Sequence, residues 1–279
     1  APNRIDFITD RAQVEPLRLR GFRTHFLPLG TDPAIFSSFA TSLYVRDLCF
    51  VGNSSETLFQ EMLAWCHTIV PDIVPQIVSL LKDFPLANTE IDAVVEHMLA
   101  QSTLPQSDLE AARFRIKHLF GIRRRTQTIT FIANHYPQFV VYGDDGWHAH
   151  LAPQRVCANV GYFANLCATY RGTRINIDIN RSFIDDGFTQ RVFDCLACQS
   201  FVITSSKPVV HEFFETRGPR AEIAVFDTRD SLIEQIEFCL ANPENRLSIA
   251  RRGQQAVLSR HTYDHRIASI LQMVKSDLL

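Results

Sequence analysis

Asp186-Gly-Phe-Thr-Gln-Arg-Val-Phe-Asp-Cys-Leu-Ala-Cys-Gln-Ser-Phe-Val-Ile-Thr204 sets two carboxylates, Asp186 and Asp194, eight positions apart with Arg191 between them. The segment reads as a loop, a short helix and then a buried strand at Phe201-Val202-Ile203. Asp186 falls in the loop, and Arg191 and Asp194 in the first turns of the helix. A helix N-terminus presents unpaired N–H groups and partial positive charge, so it favours a diphosphate. The planar fork of Arg191 adds charge and directed hydrogen bonds.

The surrounding chain supplies further strands. Leu48-Cys49-Phe50-Val51 ends at Gly52-Asn53-Ser54, which reads as strand, tight turn and helix start, with Ser54 or Ser55 as N-cap. Phe139-Val140-Val141-Tyr142 ends at Gly143-Asp144, and Arg174 to Ile179 alternates like a strand with one polar face. Open α/β sheets bind ligands at the carboxyl ends of their strands. Gly52, Asn53, Gly143, Asn176 and Asn180 are therefore candidates for the mouth of a site, with Arg181 beside them. Turns and bulges explain the same residues without a ligand. Trp147 either stacks on a base or plugs its loop, and the plug is the plainer reading.

With Asp194 positioned for ribose hydroxyls and Asp186 for a sugar, the layout is that of a sugar-nucleotide donor site. The sequence here resembles the donor-binding half of GT-B glycosyltransferases, most closely the spore maturation protein CgeB-like group. The resemblance rests on residues 176–204, on Phe50-Val51-Gly52-Asn53, on Val141-Tyr142-Gly143-Asp144, and on Ala250-Arg251-Arg252-Gly253 through Arg266. It implies a Rossmann-like donor domain with a parallel sheet, Arg191 and Asp186 as catalytic residues, and Asp194, Gly52, Asn53, Gly143, Asn176 and Asn180 as donor-binding ones. It also implies no obligatory metal and no cofactor, the nucleotide-diphosphate sugar being the donor substrate. The wider superfamily has Glu-x7-Glu where this chain has two aspartates, and Gly where it has Gln199. A side chain at Gln199 is expected to narrow the approach to the donor. Arg191→Ala is expected to remove diphosphate affinity and leave folding nearly intact.

At the N-terminus, Ile5 to Thr9, Ala12 to Leu19 and Thr24 to Pro28 read as strand, helix and strand, with Gly21 as the helix cap. By the resemblance, residues 1–40 are the end of an acceptor domain and its linker, most of that domain being missing, and 41–279 are the donor domain. A complete protein that opens with an edge βα unit is the alternative. From Glu56 to about residue 122 helical spacing dominates, with Pro71, Pro85 and Pro105 as separators. This is a helical insertion, and another helix is expected from Arg124 to His135. Later helices are expected from Val160 to Thr169, after Lys207, from about Asp230, and twice between 243 and 277.

The chain of 279 residues is 46% apolar with a net charge of −2, which suits a globular α/β protein and argues against a nucleic-acid binder. Arg123-Arg124-Arg125 reads as a solvated run before a polyanion site. No apolar run spans a bilayer. Seven cysteines at scattered spacings suit a reducing cytoplasm, and Cys195-x2-Cys198 reads as core packing. His148 and His150 lack the partners a metal needs. The expected activity is sugar transfer to a carbohydrate or protein acceptor. The competing classes are a degenerate nucleotide-binding or protein-interaction module and a GT-B nucleotide-sugar epimerase.

Overall fold

The computed structural model describes residues 4–36, 43–82, 88–163, 165–180 and 184–278. Arg181, Pro85 and the expected boundary near residue 40 lie outside them. The chain runs β1 (Ile5–Ile8), α1 (Val14–Leu19), β2 (Arg23–Phe26), α2 (Pro33–Phe36) and β3 (Arg46–Val51). Four helices follow, α3 (Glu56–Ile69), α4 (Val74–Lys82), α5 (Asn88–Leu99) and α6 (Gln106–His135), and then β4 (Val140–Tyr142) and β5 (Val156–Cys157). The remainder is α7 (Leu166–Arg171), β6 (Thr173–Asp178), α8 (Gln190–Ala197), β7 (Val202–Ser205), α9 (Pro208–Phe213) and β8 (Ala224–Phe226), ending in α10 (Arg229–Ala241), α11 (Pro243–Arg260) and α12 (Tyr263–Leu278).

These elements form two compact units. One comprises Ala1–Val51, Val160–Asn180 and Ile184–Leu279, and the other Gly52–Asn159 with Arg181–Phe183. In the first, β3, β6, β7 and β8 lie side by side in that order, all parallel. β1 and β2 form a separate parallel pair. Parallel sheets carry helices on both faces, so their strands are buried throughout. The expected polar face of β6 is formed by Arg174, Asn176 and Asp178, and all of the strand except Arg174 is buried. Asn176 and Asp178 sit inside because β3 and β7 flank the strand and helices cover it, and both find partners there. α7 begins at Leu166 and not near Gly161, since Tyr162 is engaged elsewhere (below).

In the second unit α3 to α6 enclose a core that includes Cys66, Ile77, Val95, Ile116 and Leu119. The break expected before Arg124 is absent, and α6 is one helix of 30 residues. A helical glycine costs about 1 kcal/mol relative to alanine, and here the burial of Phe120 and Ile122 on either side of Gly121 offsets it. The arginine run is used internally. Arg123 donates to the Leu81 carbonyl at 2.9 Å, and Arg125 to the Asn53 carbonyl. No single described helix is long and apolar enough to cross a membrane.

Candidate functional site

Asp178, the last residue of β6, is buried and accepts three hydrogen bonds: from Thr189 Oγ1 at 2.8 Å, Thr204 Oγ1 at 2.9 Å and Arg191 Nε at 3.0 Å. The third bond aims Arg191 from the first turn of α8, and its guanidinium lies over the Phe50 ring, 5.6 Å from the centroid. Arg191 Nη2 is buried with no hydrogen-bond partner, as is Asn180 Oδ1 just beyond β6. Thr189, the N-cap of α8, turns its hydroxyl to Asp178, so no side chain caps the helix. The carboxyl end of β6 thus combines an uncapped helix N-terminus with a guanidinium that keeps one nitrogen unpartnered, a combination suited to an anion.

Lys207 adds a second cation. It precedes α9, is buried, and donates to the Ile184 carbonyl. Burial lowers its pKa to about 8, against the raising effect of Asp10, Asp185, Asp178 and Asp186. Sequence reasoning missed both Asp178 and Lys207. The signal for Asp178 was available, as an acid closing an otherwise apolar strand.

The two expected acids are committed to protein partners. Asp194 is fully buried, with Oδ1 accepting from Thr31 Oγ1 and Oδ2 from Tyr162 OH, each at 2.8 Å. Burial pushes its pKa up to about 6, although those hydrogen bonds oppose the shift. Asp186 pairs through Oδ2 with Arg11 Nη2 at 2.6 Å and through Oδ1 caps α9 at the Val209 N–H, 2.9 Å away. Asp10 accepts from the Asp185 and Asp186 N–H groups at 2.7 and 2.8 Å, so the segment after β1 holds the loop that leads to α8. A Cβ on Gly187 would lie 2.4 Å from the Thr9 carbonyl oxygen, which fixes glycine at that crossing.

Asn176 is corrected to a core residue. It is central to β6, donates from Nδ2 to the Tyr170 and Phe201 carbonyls at 3.1 Å, and accepts from Cys49 Sγ. Gln199 is also displaced from the expected donor approach, because it lies past the C-terminal end of α8. Its φ of +56° is left-handed, and a Schellman arrangement surrounds it, with Gln199 N–H bonded to Leu196 O at 2.9 Å and Ser200 N–H to Cys195 O at 3.1 Å. Glycine is favoured there for backbone reasons, not for ligand clearance.

Gly52, Asn53 and Gly143 belong to the second unit. Gly52 N–H bonds Tyr142 O at 2.9 Å, and its carbonyl accepts from Trp147 Nε1 at 2.8 Å. A Cβ on Gly143 would lie 2.5 Å from Gly52 O and 2.7 Å from Trp147 Nε1. The Asn53 carbonyl accepts from Arg125, and Ser54 N–H donates to Asp144 Oδ1 at 2.7 Å. Trp147 is completely buried and plugs its loop. Ser54 Oγ caps α3 by accepting from Glu56 N–H at 3.1 Å. His150 pairs with Glu56 at 2.8 Å, and among the described residues no cluster of three metal-ligating side chains exists.

Residues 117–272 match the profile of the family described as glycosyl transferase-like. Among solved structures, sucrose-phosphate synthase from Thermosynechococcus elongatus is similar over 98% of this chain and 58% of its own, with a TM-score of 0.50 and 14% identity. Anabaena HepE, solved in complex with UDP and glucose, is similar over 97% of this chain and 62% of its own, with a TM-score of 0.54 and 10% identity. The α/β architecture with its parallel sheet matches these GT-B structures, and the chain spans about three-fifths of their length. No curated protein sequence is significantly similar to the chain.

Proposed function

Because the chain belongs to the glycosyl transferase-like family, we propose that it moves a sugar from a nucleotide-diphosphate sugar to a carbohydrate or protein acceptor, supplying the donor-binding half. The observation that carries this reading is Arg191. Its Nε is held by buried Asp178 while Nη2 has no partner, beside an uncapped helix N-terminus at the carboxyl edge of a parallel sheet. Charge builds on the departing diphosphate during glycosyl transfer, so a preorganised guanidinium and N–H dipoles stabilise the transition state more than the ground state. Lys207 adds charge, and Asn180 Oδ1 is free to accept a hydroxyl of the donor. UDP and glucose in the Anabaena structure support the same ligand class.

Within this reading the chain is CgeB-like, cytoplasmic and metal-independent, its cations standing where a metal would neutralise the diphosphate. Asp194 is assigned to the ribose hydroxyls, with Thr31 and Tyr162 as its partners in the free chain.

A second reading has its own support. Asp186 and Asp194 are both fully engaged by protein groups, as expected of a degenerate module that binds a nucleotide without turnover. Calorimetric titration with UDP, GDP, TDP and ADP tests both. Selective binding lost in Arg191→Ala supports a donor site, and release of sugar from the matching nucleotide sugar then separates transferase from module. Absence of binding to all four nucleotides by a folded chain would overturn the donor-site assignment.

A further inference from the structure

The opposite edge of the same sheet holds a second basic site. A cavity of about 230 Å³ opens where β6 and β7 begin, bounded by the ends of α7 and α8 and by α11. Arg171, Arg246 and Arg251 line it, together with Ser200, Gln199 and Tyr44, and among the described residues no carboxylate does. Two helix C-termini point here, each worth roughly half a negative charge, so Arg246 and Arg251 alone leave a positive excess.

Two buried donors in this wall lack acceptors. Ser200 and Arg246 are each 4% exposed, and neither Ser200 Oγ nor Arg246 Nε has a hydrogen-bond partner. Arg246 is held in place by its Nη1 bond to the Cys239 carbonyl at 2.6 Å and by stacking on Tyr44, 5.8 Å from the ring centroid. Unsatisfied buried donors in native proteins call for a missing partner, and here the missing group must accept hydrogen bonds.

We propose that this cavity binds a phosphate-class oxyanion through Arg171, Arg246, Arg251 and Ser200, at a site separate from the one at Arg191. A free phosphate and the phosphate of a small ester share this chemistry. The test is calorimetry of the full chain with inorganic phosphate and with glycerol 3-phosphate, at ionic strength held constant with chloride. Saturable binding is expected, weakened about tenfold or more by Arg251→Glu, since a charge-assisted bond is replaced by repulsion. A smaller loss is expected in Ser200→Ala, which removes one buried hydroxyl, and none in Arg191→Ala. Tighter binding of the ester identifies a phosphorylated metabolite as the ligand, and equal binding identifies the free anion. Absence of saturable binding overturns the proposal, and so does binding that survives both Arg251→Glu and Ser200→Ala or disappears in an Arg191→Ala variant whose circular dichroism shows it folded.

Discussion

The end of β6 and the turn around Trp147 read alike in the sequence, each a strand followed by small and polar residues, but their polar groups behave differently. Around Trp147, the Gly52 and Asn53 carbonyls and the Ser54 N–H all have partners. Beyond β6, Arg191 Nη2 and Asn180 Oδ1 are buried with none. Leaving a buried polar group unsatisfied costs about 1–3 kcal/mol, so the first arrangement stabilises its unit while the second carries a cost that the proposed donor would relieve. A glycine at a strand end is weaker evidence of function than an orphaned buried donor beside a helix N-terminus at the carboxyl edge of a parallel sheet.

The most severe way to break this contrast is Trp147→Ala. Emptying a fully buried indole site should cost about 4 kcal/mol in chemical denaturation, while Trp147→Phe loses mainly the bond to Gly52 O, about 1 kcal/mol. A loss under 1 kcal/mol for alanine would remove the packing role.

Arg191→Ala comes next and revises the expectation of nearly intact folding. Asp178 would remain buried with two hydroxyl donors but no cation, at a cost of about 3 kcal/mol. Arg191→Ala in an Asp178→Asn background should recover most of that stability and still lack diphosphate affinity. Restored binding in the double variant would show that Arg191 acts only through Asp178.

Asp194→Asn tests the other acid through pH. The folded-state pKa of Asp194, about 6, exceeds its ordinary value of 3.8, so the native state binds more protons in that window and loses stability as pH rises through it. The variant should match the parent near pH 4 and exceed it by roughly 3 kcal/mol above pH 7, with weaker nucleotide binding. Equal melting curves at both pH values would show that burial does not strain this carboxylate. His261 contributes the opposite slope. Burial, with Arg266 and Arg260 adding to it, lowers its pKa to about 3, so stability is lost as pH falls below the ordinary 6.5. His261→Phe should flatten the acid limb of a melting-temperature profile.

The smallest effect is expected at Gln199→Gly. Relief of a left-handed backbone should add about 1 kcal/mol and leave nucleotide affinity unchanged. A loss of stability would mean that the glutamine side chain contributes more than its backbone costs.

Much of this was legible locally. The loop, helix and strand from Asp186 to Thr204, the β1-α1-β2 segment with Gly21 at a φ of +86°, and the two terminal helices all follow from apolar period and capping residues. Less local features escaped. The alternation in β6 reads as one polar face, but that neighbours on both sides bury it is not legible there. The arginine run before Thr126 reads as solvated, yet Arg123 and Arg125 serve carbonyls 42 and 72 positions away. Asp194 is oriented by Thr31, 163 positions earlier, and Asp186 by Arg11, 175 positions earlier.

The sequence alone therefore determined the alternation of strands and helices and the placement of Arg191 at a helix start, because backbone periods and caps act within a few residues. Which acid holds that arginine, which acids are already occupied and which buried donors remain open were decided only by the tertiary structure. Those outcomes depend on contacts between distant segments and on the exclusion of water that packing brings, and neither is encoded in any one stretch of chain.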